Sequence, residues 1–466
     1  MIYEGQRATI VGLGREGTAL ARFLARQGAK VTVTDIKEES ELKEAMGDLA
    51  GLPIHYLLGG HPAEALEADV VFVSPGVPRE IPILAAARRR GIELSSETRL
   101  FFILCPAPII GITGSSGKTT TTSLVGETMR AYGRRTYVGG NIGSPLIDIV
   151  NQIGPEDCVV MELSSFQLED LDQSPHIAAV LNLSPNHLDR HQSMDEYIAA
   201  KTSILRYQRD VDCAVLNADQ EATRRLADLC KGQVAFFSRS QPVERGACLQ
   251  GDEITVRWHG QQNTVCRIAE IQLLGSHNLD NVLAACAIAA AAGASAQAMG
   301  TAVTSFRGVE HRLELVGEIQ GIRYFDDSIA TSPDRTIAAL RSFSQPVILL
   351  AGGREKHLPV EALARAITEK VKALVLFGEA APLLEQAVRR ARADELGREL
   401  PVYLSSDLRE AVHSAARMAE KGDVVLLSPA CTSFDMYRDF AERGDHFKSL
   451  VNEMMRSPEQ LAGAER

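Results

Sequence analysis

Apolar positions along this chain fall in short, nearly continuous runs that alternate with longer stretches of helical periodicity. Ala8-Thr-Ile-Val-Gly-Leu-Gly14 reads as a strand, Thr18 to Arg26 as a helix stopped by Gly28, and Lys30-Val-Thr-Val-Thr-Asp35 as the next strand. Val70-Val-Phe-Val-Ser74 is a further buried strand that closes in Ser74-Pro75-Gly76. A second block opens with Pro108-Ile-Ile-Gly-Ile-Thr113 and continues through Cys158-Val-Val-Met-Glu162 and Ala178-Ala-Val-Leu-Asn182. In a third block Val347-Ile-Leu-Leu350, Ala373-Leu-Val-Leu-Phe377 and Val424-Val-Leu-Leu427 alternate with helical patterns. Strands apolar on both faces, spaced by helices, predict parallel sheets covered by helices. The expected fold class is α/β with three domains, over residues 1–97, 98–307 and 308–466, and a small β insertion at 255–266 in the second. The Ala-rich run 284–292 reads as a packed helix.

Composition narrows the partners. The 466 residues include 49 basic and 60 acidic side chains, a net charge of −11, which disfavours counterion-release binding along nucleic acid. Aromatic residues make up 5% with a single Trp, so a base-stacking platform is not expected either. The longest apolar stretch, 100–112, is broken by Pro106 and Pro108 and is shorter than the roughly 20 residues a membrane span needs. The chain enters its first strand without a basic segment and apolar core, so a cytoplasmic protein is expected. The eight cysteines (105, 158, 213, 230, 248, 266, 286 and 431) contain no C-x-x-C pair and read as reduced thiols.

Two glycine loops carry candidate phosphate chemistry. Gly111-Ile-Thr-Gly114-Ser-Ser-Gly117-Lys118-Thr119-Thr120 follows a strand and opens a helix, so backbone N–H groups and the helix N-terminus would face phosphate oxygens. Lys118 would reach the β- and γ-phosphates and Thr119 would ligate Mg²⁺. The strict P-loop spacing fails at one place, where position 112 is Ile. Upstream, Gly12-Leu-Gly14-Arg-Glu-Gly17 is a G-x-G-x-x-G after a strand, with Asp35 ending the next strand. That motif alone fits glycines for tight packing, a nicotinamide dinucleotide, or another diphosphate-bearing ligand. The first domain is therefore expected to be Rossmann-like and the second a P-loop ATPase domain; the third is again Rossmann-like by its alternation.

A metal constellation is legible in the second block. Glu162 ends a strand, where α/β sheets place ligands, and Asn182-Leu-Ser-Pro-Asn-His187-Leu-Asp-Arg-His191 follows the next strand. Lys201 lies in the helical run Tyr197-Ile-Ala-Ala-Lys-Thr-Ser-Ile-Leu205. With the 114–120 loop, Glu162-Leu-Ser-Ser-Phe-Gln-Leu-Glu169, Gly139-Gly-Asn-Ile-Gly143, Gly275-Ser-His-Asn278, His311-Arg312, Asp326-Asp-Ser-Ile-Ala-Thr331 and Ser428-Pro-Ala-Cys-Thr-Ser-Phe-Asp435, the whole chain resembles the Mur ligases. These ATP-dependent amide-forming enzymes build the peptide stem of bacterial peptidoglycan.

The resemblance implies an acyl-phosphate reaction on UDP-N-acetylmuramoyl-L-alanine, with D-glutamate as the amine, by a monomer that binds neither membrane nor nucleic acid. It implies that Gly114, Gly117, Lys118, Thr119 and Thr120 hold the triphosphate, and that Asn278, His311, Arg312 and Asp327 contact adenine, phosphate or ribose. Two Mg²⁺ sites are implied, one on Thr119 and Glu162, the other on His187 and a carbamylated Lys201; the catalytic set is Lys118, His187 and Lys201. An ammonium cannot ligate a cation, whereas a neutral lysine that captures CO₂ becomes an anionic oxygen donor of the kind Mg²⁺ prefers. Gly14, Gly17, Ile36, Lys37, Ser74, Pro75, Gly76, Asn141 and Ser164 are implied for the sugar nucleotide, and Thr331, Lys356, Ser433, Phe434 and Phe440 for the amino acid. Where D-glutamate-adding relatives read Asp-Ser-Lys-Ala-Thr, this chain has Ile329. A cation near the incoming amino acid is thus expected to be missing, which opens L-glutamate or another amino acid as the alternative. A dehydrogenase reading of the first loop would leave Lys118, Thr119 and the Glu162, His187 and Lys201 set without a task. A non-catalytic ATP-gated protein would bind ATP but release no phosphate.

Overall fold

The computed structural model describes residues 3–184, 193–273, 275–356, 358–393 and 400–456. The chain forms two compact units, one of residues 1–272 and 276–306, the other of 273–275 and 307–466. Among the described residues there are three sheets, two in the first unit and one in the second.

The first sheet is wholly parallel. Arg7–Val11 lies at its centre, flanked by Lys30–Thr34 on one side and Val70–Val73 on the other. Ile54–Leu57 and Glu93–Ser95 form its edges. Because the chain leaves the central strand to one side and returns to the other, a crevice opens at its C-terminal end, where such sheets bind ligands. The helix Arg15–Arg26 starts there with Gly14 at its N-cap.

The second sheet has nine strands, with Ile109–Thr113 between Cys158–Glu162 and Ile177–Val180. The expected β segment at 255–266 forms two strands, Glu253–Trp258 and Gln261–Arg267, which extend this sheet antiparallel at one edge. The helix Lys118–Ala131 begins directly after the glycine loop, with Gly117 as a left-handed N-cap. Its exposed donors at the N-terminus are those a phosphate would use. One apolar cluster runs from Leu20 and Leu24 of the first layer through Phe101 to Ile147 and Met161 of the second. Full burial of a side chain such as Phe101 contributes about 1.5–3 kcal/mol, so the two sheets share a core.

In the second unit the strand order places Ile322–Asp326, Val424–Ala430 and Val347–Gly352 side by side and parallel, with Glu314–Ile319 antiparallel at the edge. The loops after these three neighbouring strands carry Thr331, Ser433 and Lys356. The strand order, not the sequence order, gathers them.

Candidate active site

The phosphate loop is held by groups from three other segments. Ser115 donates its N–H to the Asn182 carbonyl and its hydroxyl to Ser184 O, and receives a hydrogen bond from Tyr197 Oη at 3.0 Å. The Asn182 amide accepts from Ser116 N–H at 2.8 Å and donates to the Ser116 carbonyl at 3.1 Å. Gly117 has φ +78°, and a side chain there would run into Asn281, whose amide donates to Asn278 Oδ1 at 2.8 Å. Asn182, Tyr197 and Asn281 received no role from the sequence; the Asn182-Leu-Ser motif was the only available signal.

Beside this loop two lysines meet. Lys118 Nζ donates to the Gly114 carbonyl at 2.9 Å, and Lys201 Nζ donates to the same oxygen at 3.0 Å. Lys201 is 2% exposed, with Tyr197 against its ammonium at 4.7 Å from the ring centroid. Burial, reinforced by the Lys118 charge and opposed by Glu162, pulls the Lys201 amine down to about 7. Glu162 is buried at the end of the adjacent strand, and both its oxygens are engaged. Thr119 Oγ1 donates to Oε2 at 2.8 Å and Asn141 Nδ2 to Oε1 at 2.9 Å. Thr120 is buried in the first turn of the helix. His187 lies outside the described residues.

These residues fit a divalent cation and a triphosphate. A carboxylate and a hydroxyl, both hard oxygen donors, sit next to a helix N-terminus and a cationic loop, and the second lysine is held in an environment that disfavours its charge.

The other glycine loop is shaped by close packing. A Cβ at Gly17 would strike the Gly12 carbonyl, and Ser74 Oγ donates to that carbonyl at 2.8 Å. At Gly14, by contrast, an added Cβ meets nothing within 4 Å, so the face at the helix start is open. Asp35 turns its carboxylate toward the loop backbone. Its oxygens accept the Leu13 and Lys37 N–H groups at 2.7 and 3.0 Å. Ile36 is 75% exposed beside it, and Lys37 and Gly76 are exposed while Ser74 and Pro75 are half-buried.

This loop is tied to the second sheet. Arg15 donates to the carbonyls of Gly143 and Gly140 at 2.8 and 3.2 Å, and Arg22 pairs with Asp148 at 2.6 Å. Ser164 caps the short helix Ser165–Leu168 with Gln167, whose amide donates to Glu16 at 2.9 Å. Burial raises Glu16 well above the usual carboxylate range, and Glu97, fully buried beside it, is raised by burial and by the Glu16 charge.

In the second unit Lys356 Nζ donates to Thr331 Oγ1 at 3.1 Å. Ser433 is buried, Phe434 is 60% exposed, and Phe440 packs edge-on to the His311 ring at 6.1 Å. His311 itself is buried, with Nδ1 2.7 Å from Asp326 Oδ2, and Arg312 is exposed beside it. Burial pushes His311 down, but the bond and charge of Asp326 outweigh it, and the net shift is upward. Asp327 accepts from Ser428 Oγ at 2.7 Å and from Leu313 N–H, and burial pushes it up to about 7. Sequence reasoning missed Arg443. Its guanidinium is wholly buried and donates to Ser328 O and Oγ and to the carbonyls of Cys431 and Thr432, with burial pulling it down to about 10.

Three family profiles match consecutive stretches: a Mur ligase MurD-like N-terminal domain over residues 6–96, a Mur ligase middle domain over 112–289, and a Mur ligase glutamate ligase domain over 311–431. The chain belongs to the Mur ligase family and is a ligase. It is 47% identical over 449 residues to the UDP-N-acetylmuramoylalanine–D-glutamate ligase of Symbiobacterium thermophilum, covering 96% of this chain and 98% of that one. The Acetivibrio thermocellus protein of the same name is 44% identical over 451 residues, covering 96% and 97%. Among solved structures, the fold resembles UDP-N-acetylmuramate–alanine ligase MurC from Thermotoga maritima (TM-score 0.58, 20% identity, 97% of this chain and 100% of that one). MurF from Acinetobacter baumannii has TM-score 0.56 and 16% identity over 96% of this chain and 93% of its own.

Proposed function

We propose that this chain joins D-glutamate to UDP-N-acetylmuramoyl-L-alanine, in peptidoglycan synthesis, at the expense of ATP. The observation that carries the chemistry is the convergence of Lys118, Lys201, Thr119 and Glu162 at the start of one helix and the ends of two neighbouring strands. A carboxylate is a poor electrophile, so phosphorylation of the L-alanine carboxylate to an acyl phosphate precedes attack by the amine and release of phosphate.

Lys118 and the loop N–H groups hold the triphosphate and offset charge on the transferring phosphoryl group. Thr119 with Glu162, and His187 with Lys201, would hold Mg²⁺, which would offset phosphate charge. Pulled down to about 7, the Lys201 amine has a substantial neutral fraction near neutral pH, the form that captures CO₂, and a carbamate there would supply anionic oxygens.

The first domain, 1–97, takes the uridine diphosphate sugar at the open Gly14 face, with Gly17, Ile36, Lys37 and Ser74 to Gly76. Asn141 and Ser164 complete that site from the central domain, 98–307. Asn278, His311, Arg312 and Asp327 serve the nucleotide. Thr331, Lys356, Ser433, Phe434 and Phe440 of the third domain, 308–466, receive the amino acid. The protein works as a monomer on small molecules in the cytoplasm, where ATP and sugar nucleotides are available. A dehydrogenase reading of the first loop would leave Lys118, Thr119 and Glu162 without a task.

The test is phosphate release with UDP-N-acetylmuramoyl-L-alanine, ATP and a panel of D- and L-amino acids. D-Glutamate is expected to drive release and to appear in a new amide. Turnover with L-glutamate and none with the D isomer would overturn the substrate while leaving the ligase class intact.

A further inference from the structure

We infer that Arg335 is a specificity-determining residue, which with Lys356 forms a two-cation recess for a carboxylate of the incoming amino acid. The inference rests on the reading of this unit as the D-glutamate pocket. Arg335 stands in the first turn of the helix Pro333–Arg341, which starts just beyond Thr331. Helical side chains lean toward the N-terminus of their helix, and this one folds back onto the preceding turn. Its NH1 donates to the Ile329 carbonyl at 2.9 Å, the same oxygen that accepts the Thr331 N–H at 2.9 Å.

From the neighbouring strand's loop, Lys356 reaches the Thr331 hydroxyl at 3.1 Å. Two cations on different elements thus converge on residues 329–331. Lys356 forms no ion pair among the described residues. Its amine is held below the usual lysine range by burial, then by the charge of Arg335 and of the buried Arg443. Like charges gathered on one turn repel each other, and a bound anion relieves that repulsion. Glutamate carries two carboxylates, so this recess favours a dicarboxylic amino acid over a neutral one. The charge expected to be missing because position 329 is Ile is therefore supplied six residues downstream, by a side chain anchored on the Ile329 carbonyl itself.

The test compares wild type, Arg335→Gln and the double variant Arg335→Gln/Ile329→Lys by steady-state kinetics. Losing one charged contact to a carboxylate should raise KM for D-glutamate about tenfold or more. KM for ATP and for the sugar nucleotide should not move, and neither should the melting temperature, because Arg335 is exposed. A lysine at 329 returns a cation to the turn but cannot restore the bond to the 329 carbonyl, so recovery of KM in the double variant identifies charge as the contribution. A KM for D-glutamate unchanged in Arg335→Gln overturns the inference. So does a raised KM that the double variant fails to lower, since that marks Arg335 as a brace for the turn. If the wild type itself does not consume D-glutamate, the functional reading falls first and takes the recess with it.

Discussion

Lys118 and Lys201 donate to the same oxygen, the carbonyl of Gly114, at 2.9 and 3.0 Å. One lysine belongs to the phosphate loop, the other to the helix Met194–Arg206. Burial of Lys201, reinforced by the Lys118 charge that the shared acceptor brings beside it, drives its amine toward the neutral form.

Lys118→Ala removes the loop cation proposed to face the transferred phosphoryl group. The rate of phosphate release should fall about 10²–10³-fold, as when one preorganised transition-state contact is lost. Turnover equal to wild type in a steady-state assay would take Lys118 out of the mechanism.

Lys201→Ala should be slow and partly rescued by added short-chain carboxylates, which can stand in for the oxygens of the proposed carbamate. Intact-mass analysis in bicarbonate buffer should show the added carboxyl group on wild type and not on the variant. An unmodified lysine together with failed rescue would leave Lys201 a packing residue.

The Glu16 and Glu97 carboxyls set a pH dependence. Both native values lie above the unfolded value, near 4.3 for Glu. Between the unfolded and native values the folded chain therefore holds more protons than the unfolded one, and stability falls as pH rises through that window. The slope approaches ~1.4 kcal/mol per pH unit for each proton retained. Glu97→Gln keeps the shape without the ionisation, so its melting temperature should fall less steeply with pH and exceed that of wild type above neutrality. Parallel melting curves across pH would contradict the assignment.

Arg443→Met should cost about 3 kcal/mol or more in denaturant unfolding, because it strands buried carbonyls of Ser328, Cys431 and Thr432. Arg443→Lys keeps the charge but not the fork and should fall between the two. A loss under 1 kcal/mol for the Met variant would mean that the loops hold themselves.

The sheets and the phosphate loop were legible because their signals are local. Cys158–Glu162 is observed with the bounds its apolar run predicts, and Lys118 opens a helix as the loop demands. The partners of those residues were not legible. Nothing near Asn182 in the sequence says that its amide grips Ser116, and nothing near Asn141 says that it steadies Glu162. The β segment at 255–266 could be recognised as strand, but the strand it docks through, Gly246–Gln250, was not picked out, although it precedes the segment directly in the chain.

By itself the sequence determined the alternation of strands and helices, the positions of both glycine loops and the kind of chemistry their residues offer, since apolar period and backbone freedom are properties of neighbouring residues. Only the tertiary structure decided which groups share an acceptor, which carboxylates are turned onto backbone amides, and that an arginine from the following helix stands at the turn where Ile329 offers no charge. Such outcomes depend on strand order and burial, and these arise from contacts between residues far apart along the chain.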